Sequence, residues 1–204
     1  MLSLSPITTQ WDWLFLLYAT IGSIVGGVVI GLFIYLCIRY RRRKEEEIKL
    51  GKIPPERGNI RVVYILTFIV TGILFTITLG TMQTVNLIEK PPEGTLVIEV
   101  YAYQWGWKFI YPNGKQLVGE VRVPKNEVVI FKVTSEDVFH NFGLIEFKVK
   151  ADAIKGRVNT IWIKPYQTGE YSIQCFELCG VGHSWMKGKL LVMEPSEFMR
   201  WYGE

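Results

Sequence analysis

The stretch CFELCGVGHSWM, Cys175 to Met186, places two cysteines, a glutamate, a histidine and a methionine within twelve residues. Cys175, Cys179 and His183 follow one another at intervals of four, and Met186 comes three later. Two soft thiolates, an imidazole and a thioether so close together form the donor set of a metal site. The chain has only two histidines, His140 and His183, so a histidine beside a cysteine pair is informative.

Three chemistries compete for this set. A Cys175–Cys179 disulfide would close so short a loop that little unfolded-state entropy is removed, and it leaves His183 and Met186 without a role. Structural zinc accepts two Cys and two His but does not account for Met186. Copper suits thiolate, thioether and imidazole together. A simple blue-copper site uses one Cys, two His and a weak axial Met. Here there is one Cys too many, and the surplus thiolate suggests two copper ions bridged by two sulfurs.

The elements around the cluster must position it. It falls between the β runs Gly169–Gln174 and Gly188–Glu194, and His140 lies just after another β run, in DVFHNFG. Gly180 and Gly182 allow the loop to turn tightly around metal. Further runs, Thr95–Tyr101, Glu127–Val133 and Asn159–Lys164, are rich in Val, Ile and aromatics and punctuated by Pro, Gly and Asn. Short strands with turn signals predict an all-β sandwich or barrel. A distant His from one strand end, plus a loop between the last two strands, is how a Greek-key copper domain closes its site. The tail Pro195–Tyr202 reads as a short helix capped by Ser196.

The first third of the chain has a different character. Mean hydropathy over all 204 residues is +0.20, and the excess is concentrated there. Leu14–Ile38 and Val62–Met82 carry no charge; 25 helical residues span roughly 37 Å, enough to cross a bilayer with some tilt. The first eleven residues hold no Lys or Arg and no small-residue cleavage site follows, so helix 1 is expected to stay in the mature protein. Between the runs, Arg39–Arg61 holds nine basic residues against four acids. The positive-inside rule places this loop in the cytoplasm and both termini outside. Ser23, Gly27 and Gly31, and likewise Gly72, Thr76 and Gly80, form small-residue stripes suited to close helix packing. Cys37 reads as an apolar packing residue. Lys90-Pro91-Pro92-Glu93-Gly94 reads as a stiff exit from the membrane.

On these residues the chain resembles subunit II of the haem–copper respiratory oxidases. CFELCGVGHSWM resembles that family's dinuclear copper (CuA) motif, C-x-E-x-C-x-x-x-H-x-x-M. VFHNFGL resembles its first-histidine segment, and YAYQWGWKF, Tyr101–Phe109, its aromatic segment with paired tryptophans. One departure is visible: the family often reads Gln-Trp-Tyr-Trp, and here the residues are Gln104-Trp105-Gly106-Trp107. The resemblance implies a two-helix transmembrane hairpin followed by an all-β cupredoxin-like Greek-key barrel domain. The division would be a membrane anchor over 1–90, with helices about 14–38 and 62–82, and an outer copper domain over 91–204.

Carried over, the resemblance implies that Cys175 and Cys179 bridge both coppers, that His140 and His183 each bind one, and that Met186 and the backbone carbonyl of Glu177 are weak ligands. The Glu177 side chain would reach a magnesium ion shared with subunit I, and Trp105 matches the tryptophan that receives electrons. The expected role is a relay in the cell membrane. An external donor, a cytochrome c or a small copper protein, reduces the copper pair, which passes electrons to the haem of subunit I for oxygen reduction coupled to proton translocation. The alternatives are the copper subunit of a related nitric oxide reductase and a membrane-anchored copper chaperone. From Pro92 onward there are thirteen basic and thirteen acidic residues, so the outer domain is expected to hold its donor by apolar contact rather than charge.

Overall fold

The computed structural model describes residues 3–39, 41, 58–93 and 96–203. The charged stretch between residues 42 and 57, on which the cytoplasmic-loop reading mostly rests, lies outside the described residues. So do Gly94 and Thr95.

Two long helices come first, α1 (Pro6–Arg39) and α2 (Ile60–Glu89). Both extend past the uncharged runs because polar residues cap them. At the start of α1 the Ser5 hydroxyl accepts from the Thr8 amide at 3.2 Å, and Thr8 Oγ1 accepts from the Ser5 amide at 3.0 Å. This reciprocal cap precedes a proline at the first helical position. At the start of α2, Asn59 Oδ1 accepts from the Arg61 amide.

None of the most apolar stretch of either helix is buried in the protein. Phe15 is 70% exposed and Phe68 81%. Water would not tolerate such surface in a monomer, and these are two membrane-spanning helices. A Cβ on Gly27, Gly31 or Gly72 would meet nothing within 4 Å, so those parts of the small-residue stripes pack on nothing among the described residues. Gly80 is the exception, since a Cβ there would lie 3.4 Å from the Trp13 ring. Cys37 is exposed, so its expected packing role is not met among the described residues.

Among the described residues the remainder is all-β apart from a short 3-10 turn and one terminal α-helix. Ten strands follow: β1 (Leu96–Tyr103), β2 (Gly106–Ile110), β3 (Gln116–Val118), β4 (Glu120–Pro124), β5 (Val129–Ser135), β6 (His140–Leu144), β7 (Val149–Ala153), β8 (Asn159–Ile163), β9 (Gly169–Cys175) and β10 (Lys187–Met193). They form two five-stranded sheets, ordered β3-β2-β1-β5-β8 and β4-β10-β9-β6-β7. β1 pairs parallel with β5 and β10 parallel with β4, while the other neighbours are antiparallel. Alternate residues of β1 and β5 (Ile98, Val100, Ala102, Phe131, Val133) face Phe142, Ile173, Leu190 and Val192 in a shared core.

α3 (Pro195–Gly203) closes the chain. Its first turn begins at the Glu194 carbonyl, which accepts from the Phe198 amide at 2.9 Å. Ser196 therefore lies inside the helix and is not its cap, and Pro195 takes the first helical position. The chain divides into two compact units, Met1–Asp12 with Met82–Glu204, and Trp13–Thr81.

Candidate metal centre

β9 ends on Cys175, and β10 begins at Lys187, directly after Met186. The eleven-residue excursion between these paired strands is tied down locally. The Cys175 amide donates to the Met186 carbonyl at 3.1 Å, closing the neck of the loop. A short 3-10 turn, His183–Trp185, begins with the His183 amide donating to the Gly180 carbonyl. The first residue of β6, His140, enters from the neighbouring strand, since β6 pairs with β9 and sets Phe142 opposite Cys175.

These elements bring the sulfur and nitrogen donors together. Cys175 Sγ and Cys179 Sγ are 3.8 Å apart, and both cysteines are free. His140 Nδ1 lies 4.0 Å from Cys175 Sγ, and His183 Nδ1 lies 3.6 Å from Cys179 Sγ. Met186 Sδ is 3.7 Å from Cys179 Sγ. The Glu177 carbonyl accepts from the Cys175 thiol at 3.2 Å. Each sulfur thus has one imidazole and one weaker donor within 4.0 Å. The ligating atoms of His140, Cys175 and Cys179 all fall within 4.8 Å of one another. His140, Cys175, Cys179 and Met186 are buried, and His183 is half-buried.

This donor set fits copper. Metal–sulfur bonds of roughly 2.3 Å allow one ion to reach both sulfurs across the observed gap. Six converging donors exceed the four of a closed tetrahedral zinc site, and two thiolates with a thioether select a soft metal. Burial and the neighbouring Cys175 thiol push Cys179 up to about 11. A metal that takes this thiolate must therefore displace its proton.

The surroundings of the ligands hold residues that sequence reasoning missed. Asp137 Oδ1 lies 2.8 Å from His140 Nε2. This contact fixes the ring and leaves Nδ1 facing the sulfurs. Burial pushes the Asp137 carboxyl up, but hydrogen bonds from His140 and from the Gln104 and Val138 amides outweigh it and hold the group below its usual range. Asp137 stands three residues before His140, and that spacing in DVFH was the one available signal. Gln104 was missed as well: its Nε2 donates to the Cys179 carbonyl at 2.7 Å.

The two tryptophans separate. Trp107 is fully buried, edge-on to Phe142 and His140, with no partner for its Nε1 among the described residues. Trp105 is 44% exposed, and its Nε1 donates to the same Cys179 carbonyl at 3.3 Å. A Cβ at Gly182 would collide with its indole, so the loop glycine makes room for the ring. Val181, beside Gly182 in the chain, and Val138 and Phe139, just before His140, also expose apolar surface.

The family description "Cytochrome C oxidase subunit II, periplasmic domain" matches residues 118–193. The heme-copper oxidase subunit 2 of Aeropyrum pernix is 38% identical over 97% of this chain and 90% of its own length. A probable cytochrome c oxidase subunit 2 of Rickettsia bellii is 31% identical over 92% of this chain and 75% of its own. Among solved structures, the periplasmic domain of subunit II of the Bradyrhizobium japonicum cytochrome oxidase covers 55% of this chain and 94% of its own. Its TM-score is 0.53 and its identity 38%.

Proposed function

From membership of the cytochrome c oxidase subunit II family, to which this chain belongs, we propose that it is the electron-accepting subunit of a haem–copper terminal oxidase and holds a dinuclear copper centre. One observation carries the copper reading: two unbridged, buried sulfurs 3.8 Å apart, each with its own imidazole within 4.0 Å.

In this reading Cys175 and Cys179 would hold both ions, His140 and His183 one each, and Met186 and the Glu177 carbonyl would be weak ligands. When bound, the pair would supply one-electron transfer. The chain's own residues do the rest. Asp137 holds the His140 ring so that Nδ1 faces the sulfurs. Burial of the ligands keeps water from them. Trp105 presents its ring to solvent while its Nε1 donates to the carbonyl of a bridging cysteine. A donor resting on Trp105 is therefore one hydrogen bond from the backbone of a ligand. The Glu177 side chain would meet a magnesium ion shared with subunit I. Electrons would leave for the haem of subunit I, where oxygen is reduced and protons are moved.

The metal domain and both termini would face outward from the cell membrane, with the loop 39–61 in the cytoplasm. A copper chaperone must release its metal, and ligands as buried as His140 and Met186, both 0% exposed, argue against that reading.

Metal analysis of the full-length chain tests the proposal. It should give two coppers per chain, a purple oxidised form, and a magnetic resonance spectrum in which one unpaired electron is shared by two copper nuclei. One copper per chain, or zinc in cells given both metals, would refute it.

A further inference from the structure

A groove of about 390 Å³ opens beside the turn between β6 and β7. Trp11, Ile88, Leu144 and Phe176 form much of its apolar wall, and Lys148 and Lys150 stand at its rim. Its place along the chain sets its level. Trp11 stands three residues ahead of the uncharged run that begins at Leu14, and Ile88 follows the run that ends at Met82 by six. At about 1.5 Å of helix rise per residue, both lie within roughly 10 Å of the apolar spans. This is the headgroup zone, where tryptophans anchor.

The rim charge is unbalanced. Lys148 is ion-paired to Asp12. Glu146 is engaged by the Ser172 amide through both oxygens, and Asp152, two residues along β7 from Lys150, accepts from the Asn141 side chain at 2.8 Å. Among the described residues Lys150 forms no ion pair; its ammonium lies 5.9 Å from the centre of the Phe176 ring. An apolar trough at the membrane surface with a surplus cation at its mouth fits an amphiphile with an anionic head.

We propose that this groove holds an acyl chain of an anionic lipid from the adjoining membrane surface, with the lipid headgroup on Lys148 and Lys150. The apolar wall takes the chain, and the lysines choose the head. Phe176 directly follows the ligand Cys175, so the bound lipid would lie against the metal loop. The inference rests on the membrane spans and not on copper, and it stands or falls separately from the reading of the metal centre.

The test is lipid retention by the full-length chain. The chain is equilibrated with equal phosphatidylglycerol and phosphatidylcholine, moved into lipid-free detergent, and its bound lipid counted by intact mass spectrometry. One phosphatidylglycerol per chain should survive in preference to phosphatidylcholine. Lys150→Gln and Lys148→Gln are solvent-exposed changes and should each lower that preference about five-fold. Ile145→Trp, on a half-exposed residue lining the groove, should fill it and lower retention of both lipids. Equal retention of the two lipids, a preference unchanged in both lysine variants, or full retention in Ile145→Trp overturns the proposal. So does a groove that holds no lipid in the isolated chain and is shielded from surface labelling only in the assembled oxidase, which would assign it to a protein partner.

Discussion

The indole of Trp105 rests so close to the α-carbon of Gly182 that a Cβ there would collide with Cγ and Cδ2. Gly182 itself has φ −86° and ψ 7°, the backbone of a type I turn, which any residue adopts. This glycine serves its neighbour's ring and not its own turn. Gly180, with φ +118°, is the one that needs a missing side chain for its backbone. Gly182→Ala should keep both coppers and displace Trp105. Reduction of the copper centre by a docked donor should then slow at least ten-fold, read by stopped-flow absorbance. An unchanged rate would remove Trp105 from the electron path.

Cys175 and Met186 are both buried but should answer substitution differently. Cys175→Ser removes one of the two sulfurs proposed to bridge the coppers and should abolish the two-copper spectrum. Met186→Leu conserves volume, so its stability cost should stay below about 1.5 kcal/mol. It should keep both metals and shift the reduction potential, because a weak axial thioether tunes the ion more than it holds it. If Met186→Leu loses copper as completely as Cys175→Ser, the ranking of ligands is wrong.

Asp137→Ala takes away the partner of His140 Nε2 and also the acceptor for the Gln104 and Val138 amides. Losing the group that orients a metal-bound imidazole commonly costs 10- to 100-fold in affinity. Competition with a copper chelator should show a loss of about that size. Wild-type affinity would mean that the strand alone aims the ring.

Away from the metal, Tyr111 gives the fold a pH signature. Its buried hydroxyl donates to the Arg122 carbonyl at 2.9 Å and accepts from the Arg122 amide at 2.7 Å. Burial raises its pKa well above the ordinary value, against the lowering effects of the Arg122 hydrogen bond and charge. A raised folded-state pKa stabilises fully below the unfolded value, near 10, and that stability is lost as pH climbs toward the folded value. The wild type should therefore lose stability steeply above about pH 10. Tyr111→Phe should cost roughly 1 kcal/mol at pH 7 and show a shallower alkaline decline. Parallel alkaline slopes in urea melts would disprove this.

How much of this was visible in the residue order follows from how local each feature is. Cys175, Cys179, His183 and Met186 share one loop, so their spacing alone exposed a soft-metal site. Asp137 acts on His140 only three residues away, so its signal was local but slight, whereas Gln104 reaches the Cys179 carbonyl across 75 residues, and no local pattern marks such a partner. β1, β5, β8, β9 and β10 stood out as runs of Val, Ile and aromatics. β6 did not, because it is buried on both faces; Phe176 crowds the spot where a Gly143 side chain would stand, and alternation is erased. In β4 the outward residues are Glu120 and Arg122, paired with each other at 2.7 Å, and five residues with two charges do not stand out as a strand. The extra turns of α1 are polar and were hidden from a hydropathy reading, although Ser5-Pro6-Ile7-Thr8 spells out the cap.

The donor's contact face should be apolar. Carboxylates tied to the segment around Trp105 are already engaged: Glu136 pairs with Lys108, Asp137 is bonded to His140 and to the Gln104 and Val138 amides, and Glu99 accepts from the Tyr101 hydroxyl at 3.1 Å. What remains open is carbon, with Trp105 44% exposed, Phe139 41% and Val181 87%. A lysine-rich partner would find little charge to steer it, whereas a small copper protein or cytochrome with an apolar rim would bury these rings. Screening acts over roughly 10 Å at 0.1 M salt, so an encounter that does not depend on charge should hardly notice it. The whole oxidase can be mixed with a strongly basic c-type cytochrome and, separately, with a small blue copper protein whose contact face is apolar, across a salt series. The second should reduce the copper centre faster, with a rate nearly flat in salt, and Trp105→Ala should slow it. A rate that falls steeply with salt, or faster reduction by the basic cytochrome, would mean that charged groups elsewhere on the domain guide the donor.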